Sequence, residues 1–161
     1  GLAGTFVVIV VAAFLEELVC RAVLFRILEQ GLGTPVAVTV TSVLFSVAHI
    51  GNGDGTLLDE VVAVVAGVAI GAMWTLLFAW TRNLWVVTAN HALWNFTIIL
   101  TGLTLSGIED WRALGPIASR SVGPMWLTGG AFGPESSAVT VLWVVGWVAL
   151  LWRWTSVRSP R

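Results

Sequence analysis

Two adjacent glutamates, two histidines and one asparagine are the residues of this chain best suited to chemistry, and all sit in apolar surroundings. Glu16 and Glu17 stand in Phe14-Leu15-Glu16-Glu17-Leu18-Val19-Cys20-Arg21. His49 follows Phe45-Ser46-Val47-Ala48, and His91-Ala92-Leu93-Trp94-Asn95 completes the set. A carboxylate in a dry pocket becomes a better base near neutral pH, because desolvation disfavours its charged form. Neutral histidine and asparagine donate hydrogen bonds there without adding a buried charge. A base for water and donors aimed at a developing oxyanion are what amide hydrolysis requires.

Helical spacing sorts these residues. Glu17 and Arg21 are one turn apart and are expected to pair. Glu16 points about 100° away and is left for another task. His91 and Asn95 share one face. Each charge at the centre of a span costs about 2.5–3.5 kcal/mol on insertion scales, so Glu16, Glu17 and Arg21 together cost roughly 8–10 kcal/mol. Their apolar neighbours return only about 4–8 kcal/mol. Such a helix persists only if its charged groups face a bundle interior and find partners. A structural ion pair alone accounts for Glu17 and Arg21 but leaves Glu16 without a task. Packing alone has to account for both histidines, Asn95 and the glutamate pair together.

The elements that must position these groups read as membrane helices. Of 161 residues, 57% are hydrophobic and 11% charged, and mean hydropathy is +0.91. Soluble domains carry about 25% charged residues. Apolar segments fall at about 4–28, 35–50, 57–80, 84–103 and 138–154. The expectation is an all-α, polytopic membrane helix bundle of about five transmembrane helices, forming one domain over 1–161. Pro35 is expected in a first helical turn, where its missing N–H costs nothing. Gly31, Gly33 and the Gly51–Gly55 stretch mark helix ends. Thr81-Arg82-Asn83 makes a third break, and Ser136 or Ser137 is the expected N-cap of the last helix. The second segment is short for a crossing. Residues 104–137 are expected to be a polar loop, with Asp54, Asp59 and Glu60 in a solvated loop of their own. Trp80, Trp85, Trp152 and Trp154 sit where interfacial anchors belong. Arg26, Arg82, Arg153, Arg158 and Arg161 alternate with the acidic loop and place their side in the cytoplasm.

Other function classes lose support. The net charge of −1 and the lack of a basic run argue against nucleic-acid binding. The single Cys20 excludes an internal disulfide and a cysteine metal cluster and reads as a packing residue, while Met73 and Met125 carry no signal. All eight basic residues are arginine, which with abundant Ala, Val, Gly and Trp suggests a GC-rich genome; the expected location is a bacterial plasma membrane.

Taken together, Glu16-Glu17-x-x-x-Arg21, Phe45-x-x-x-His49 and His91-x-x-x-Asn95, in that order and each within a separate apolar segment, resemble the CAAX-protease and bacteriocin-processing (CPBP) family. That family includes the type II CAAX prenyl endopeptidases and bacterial ABI-type membrane proteins. The resemblance covers about residues 4–103, the catalytic helices; the last helix carries no motif. It implies that Glu16 activates water, that His49 assists, and that His91 and Asn95 hold the oxyanion. Glu17 and Arg21 would brace the site, with Phe45 packed beneath His49. The substrate would be a peptide or membrane protein cut near the bilayer surface. The family carries further helices ahead of its glutamate pair, so an amino-terminally shortened form of that fold is expected here.

Zinc is an alternative, with Glu16, His49 and His91 as ligands. The H-E-x-x-H spacing is absent, and Asn95 suits an oxyanion better than zinc, so the expectation is a site without cofactor. Two other classes compete: a non-catalytic membrane protein conferring immunity or acting as a scaffold, and a small transporter or haem protein with His49 and His91 as axial ligands. The sequence leaves substrate identity and oligomeric state open.

Overall fold

The computed structural model describes residues 1–158, so Arg161 lies outside the described residues, as does the side chain of Arg158. The chain is helical, with no strand among the described residues apart from an isolated bridge between Leu105 and Ile108. Helix α1 spans Leu2–Glu17 and passes without a cap into a π-helical stretch, Leu18–Phe25, and then into α2, Arg26–Leu32. The remaining helices are α3 (Thr34–Val47), α4 (Leu57–Thr81), α5 (Leu84–Leu100), the single turn α6 (Met125–Thr128) and α7 (Ala138–Arg158).

The boundaries follow local chemistry. Gly33 closes α2 and opens α3 at φ 81°, a backbone conformation that side chains resist, and Pro35 occupies the first turn as expected. At the start of α4, Thr56 and Asp59 form a reciprocal capping box: the Asp59 amide donates to Thr56 Oγ1 at 3.3 Å, and Asp59 Oδ2 accepts from the Thr56 amide at 2.8 Å. Asp59 and Glu60 therefore belong to the first turn of α4 and not to a loop, a correction that the Thr-x-x-Asp spacing explains. Asn83 caps α5 through the Trp85 amide, and Ser137 caps α7 through the Thr140 amide at 3.2 Å.

Two expectations on extent are corrected. Helices α3 and α5 stop at Val47 and Leu100, short of 50 and 103. The 104–137 segment also has structure of its own: 3₁₀ turns at Glu109–Leu114, Gly130–Phe132 and Pro134–Ser136, besides α6. Among the described residues, two helices, Leu57–Thr81 and Ala138–Ser156, are long and apolar enough to cross a membrane. Thr34–Val47 and Leu84–Leu100 are apolar but shorter. At 1.5 Å per residue, the 14 residues of α3 reach roughly 21 Å, less than a hydrocarbon core of about 30 Å.

Helix α4 is central. Its buried face packs on α3 through small residues, because a Cβ added at Gly67 would lie 2.7 Å from Ser46 Oγ, and one at Gly71 would lie 3.1 Å from Ser42 Cα. That closeness lets Ser46 Oγ donate to the Val64 carbonyl at 2.8 Å. The larger core cluster, with Phe25, Phe45, Trp74 and Leu76, surrounds α4; a smaller one, with Ile9, Ala13, Ala92 and Ile99, joins α1 to α5. Cys20 packs at the edge of the larger cluster. At one end, Arg82 in left-handed backbone at φ 52° bonds Glu29 at 2.5 and 2.9 Å, tying the turn after α4 to α2.

Candidate active site

The site begins where α1 becomes π-helical. Glu17, the last residue of α1, and Arg21, within the π stretch, are both fully buried and pair at 3.1 Å, as their spacing predicts. Arg21 Nη2 also donates to the Gly71 carbonyl at 3.1 Å, and its guanidinium lies 4.7 Å from the centre of the Phe45 ring. Three helical segments thus converge on one buried cation. π-Helical insertions are frequent at functional sites because they widen the turn and redirect side chains.

The Glu17 carboxylate also receives the next group. His91 Nδ1 lies 2.8 Å from Glu17 Oε1. The ring is stacked on Trp74 at 3.8 Å and 24°, and Trp74 is anchored by Nε1 donating to Asn90 Oδ1 at 2.8 Å. His91 is therefore held in its plane by a carboxylate and on its face by an indole. Its remaining nitrogen, Nε2, is 3.9 Å from Glu16 Oε2. That is beyond a direct hydrogen bond but close enough for one small molecule to touch both groups. Glu16 is 40% exposed, and Oε2 has no hydrogen-bond partner among the described residues. Glu17 thus bonds both Arg21 and His91, while Glu16 makes only the looser 3.9 Å contact with His91.

His49 lies just past the end of α3. Its Nδ1 donates to the Phe45 carbonyl at 2.8 Å, which leaves Nε2 available. The Phe45 ring stands between the two histidines, 4.7 Å from His49 and 6.0 Å from His91. Asn95 is one turn beyond His91 on the same helix. Phe45, His49, Trp74, His91 and Asn95 line one largely apolar pocket, whose space open to water-sized molecules is about 40 Å³. A water fits in such a volume.

Of the residues singled out in the sequence, His49, His91 and Asn95 share this pocket, with Phe45 on its wall. Glu16 is not on that wall; it reaches His91 from the α1 side. No three His, Cys, Asp or Glu side chains among the described residues converge as a metal-ligand set. Glu16, His49 and His91, the alternative zinc set, are not among such groups in the described residues.

Sequence reasoning singled out neither Trp74 nor Glu135, both of which line the pocket. Trp74 carried a signal, since it stands in the middle of an apolar helix and not at an end where an interfacial anchor belongs. Glu135 carried none, because only the folded chain brings residues 104–137 back onto the pocket.

Among known proteins, the family model described as Type II CAAX prenyl endopeptidase Rce1-like matches residues 1–97, a stretch that contains all three motifs. No curated protein and no solved structure matches the chain.

Proposed function

The chain belongs to the Rce1-like type II CAAX prenyl endopeptidase family, and from that membership we propose that it is an intramembrane endopeptidase in which Glu16 activates water. The observation that supports this reading is the Glu16 carboxylate, with no hydrogen bond at Oε2, 3.9 Å from Nε2 of a rigidly held His91, beside a pocket shared with His49 and Asn95.

The reaction runs as a water addition. A water placed between Glu16 and His91 attacks the scissile carbonyl carbon while Glu16 takes its proton. The carbonyl oxygen becomes an oxyanion and accepts hydrogen bonds from the Asn95 amide and from His91 Nε2–H. Glu17 Oε1, 2.8 Å from His91 Nδ1, fixes the ring so that Nε2 faces the reacting atoms. Glu16 then passes its proton to the leaving nitrogen, the C–N bond breaks, and a carboxyl and an amine terminus are released. His49 can steady the water or the substrate through Nε2, its uncommitted nitrogen.

The remaining expectations belong to this proposal. Residues 1–161 form one membrane domain, with five apolar segments in the bilayer of a bacterial plasma membrane. The substrate is a peptide or membrane protein cut close to the membrane surface, and no cofactor takes part. A second reading, a non-catalytic immunity or scaffold protein, draws support from the position of Glu16 outside the main pocket.

The test is hydrolysis itself. The purified full chain, reconstituted in lipid, is incubated with solubilised bacterial membrane proteins in H₂¹⁸O, and new carboxyl termini are sought by mass spectrometry. Termini carrying ¹⁸O at a reproducible set of sites are expected. Finding none beyond those of protein-free vesicles would contradict the proposal.

A further inference from the structure

Glu135 is a buried carboxylate that the steps above do not use. It stands between Pro134 and Ser136, ahead of α7 and beyond the matched residues 1–97, and is only 4% exposed. It lines the same pocket as His49, His91 and Asn95. Both of its oxygens are engaged: Oε1 accepts from Trp94 Nε1 at 3.1 Å, and Oε2 accepts from the Ser106 amide at 2.7 Å and Ser106 Oγ at 2.8 Å. Three donors from two distant stretches of chain therefore meet on one side chain, which acts as a clamp.

One arm of the clamp leads to His91. Trp94 lies between His91 and Asn95 in α5, and its indole meets Trp74 edge to face at 6.3 Å and 85°. Trp74 lies flat on His91. The path from Glu135 through Trp94 and Trp74 to the imidazole is continuous. The other arm joins Glu135 to Ser106 within residues 104–137, next to Gly107, whose backbone a Cβ at Gly53 would meet at 3.3 Å. Loss of the carboxylate releases both arms and leaves buried N–H groups without acceptors.

We propose that Glu135 is a positioning residue of this active site, holding Trp94 and Trp74 against His91 and closing residues 104–137 over the pocket. Its catalytic meaning rests on the endopeptidase reading, but the geometry can be read without substrate. Glutamine is nearly isosteric, yet its amide NH₂ must face either Trp94 or Ser106, and both are donors there.

The chain has two histidines, so reaction with diethyl pyrocarbonate followed by mass spectrometry assigns reactivity to each. In the folded full chain, Glu135→Gln is expected to raise the modification rate of His91 roughly tenfold, as local opening of a protected site does. Trp94→Phe keeps an aromatic ring but removes the N–H donor along with part of the indole, and should reproduce that rise, with no further increase in the double variant. Glu109→Gln, in the same segment but away from this pocket, should leave His91 unchanged. If Glu135→Gln fails to fold, Trp94→Phe decides. Unchanged His91 reactivity in folded Trp94→Phe overturns the proposal. Raised reactivity in a protein that hydrolyses nothing overturns the endopeptidase reading and leaves the clamp standing.

Discussion

At the scale of single residues, the glutamate pair divides its tasks by orientation. Glu17 bonds both Arg21 and His91 through Oε1, inside the protein and out of water. Removing its charge leaves Arg21 buried without a counter-charge. Glu17→Gln should therefore lower stability by about 3–5 kcal/mol, measured as thermal unfolding in detergent, and a second change, Arg21→Met, should recover much of it. Asn95 is the opposite case: it is half-buried and makes no side-chain hydrogen bond within the described residues. Asn95→Ala should leave the unfolding midpoint in place while slowing hydrolysis by about 10²–10³; an equal loss of stability would count against the oxyanion role. These residues were legible in the sequence because charge and amide groups in apolar helices have to be explained. Trp74 was less legible, since an aromatic residue in an apolar helix is normal packing until its ring is seen to lie on an imidazole.

At the scale of elements, the site depends on how closely α3 approaches α4. Gly67 and Gly71 remove the side chains that would hold the helices apart, which brings Phe45 to Arg21 and Trp74. Gly67→Ala should destabilise the chain by about 1–3 kcal/mol through overpacking, because the new methyl meets Ser46 Oγ at 2.7 Å. Adding Ser46→Ala should restore part of that loss in the same unfolding measurement. Helix existence and most boundaries followed from Pro35, the Gly clusters and the capping residues. The π-helical stretch at Leu18–Phe25 did not, because the apolar run there reads equally well as α-helix.

At the scale of the whole molecule, two fastenings connect distant parts of the chain. Glu135 joins residues 104–137 to α5, and Glu29 joins α2 to the turn after α4. The hydrogen bonds from Arg82, assisted by Thr34, hold the Glu29 carboxyl below its usual range. A lowered folded value means that the stabilisation is present above the unfolded carboxylate value of about 4.3 and fades as pH falls through the lower folded value. Arg82 is half-exposed, so the effect should stay below about 1 kcal/mol. Glu29→Gln should remove that acid-side component from a plot of unfolding midpoint against pH. The all-helical class and the order of the three motifs were legible from hydropathy and spacing. The pocket's closure was not, because it depends on contacts between segments far apart in the chain, such as Ser106 with Glu135.

The central claim, that Glu16 activates the water, is tested most directly by comparing hydrolysis rates of wild type and Glu16→Gln reconstituted in the same lipid. Gln keeps the shape but cannot take a proton, so the rate should fall by about 10²–10⁴ with the unfolding midpoint unchanged. Hydrolysis at the wild-type rate in folded Glu16→Gln would contradict the account.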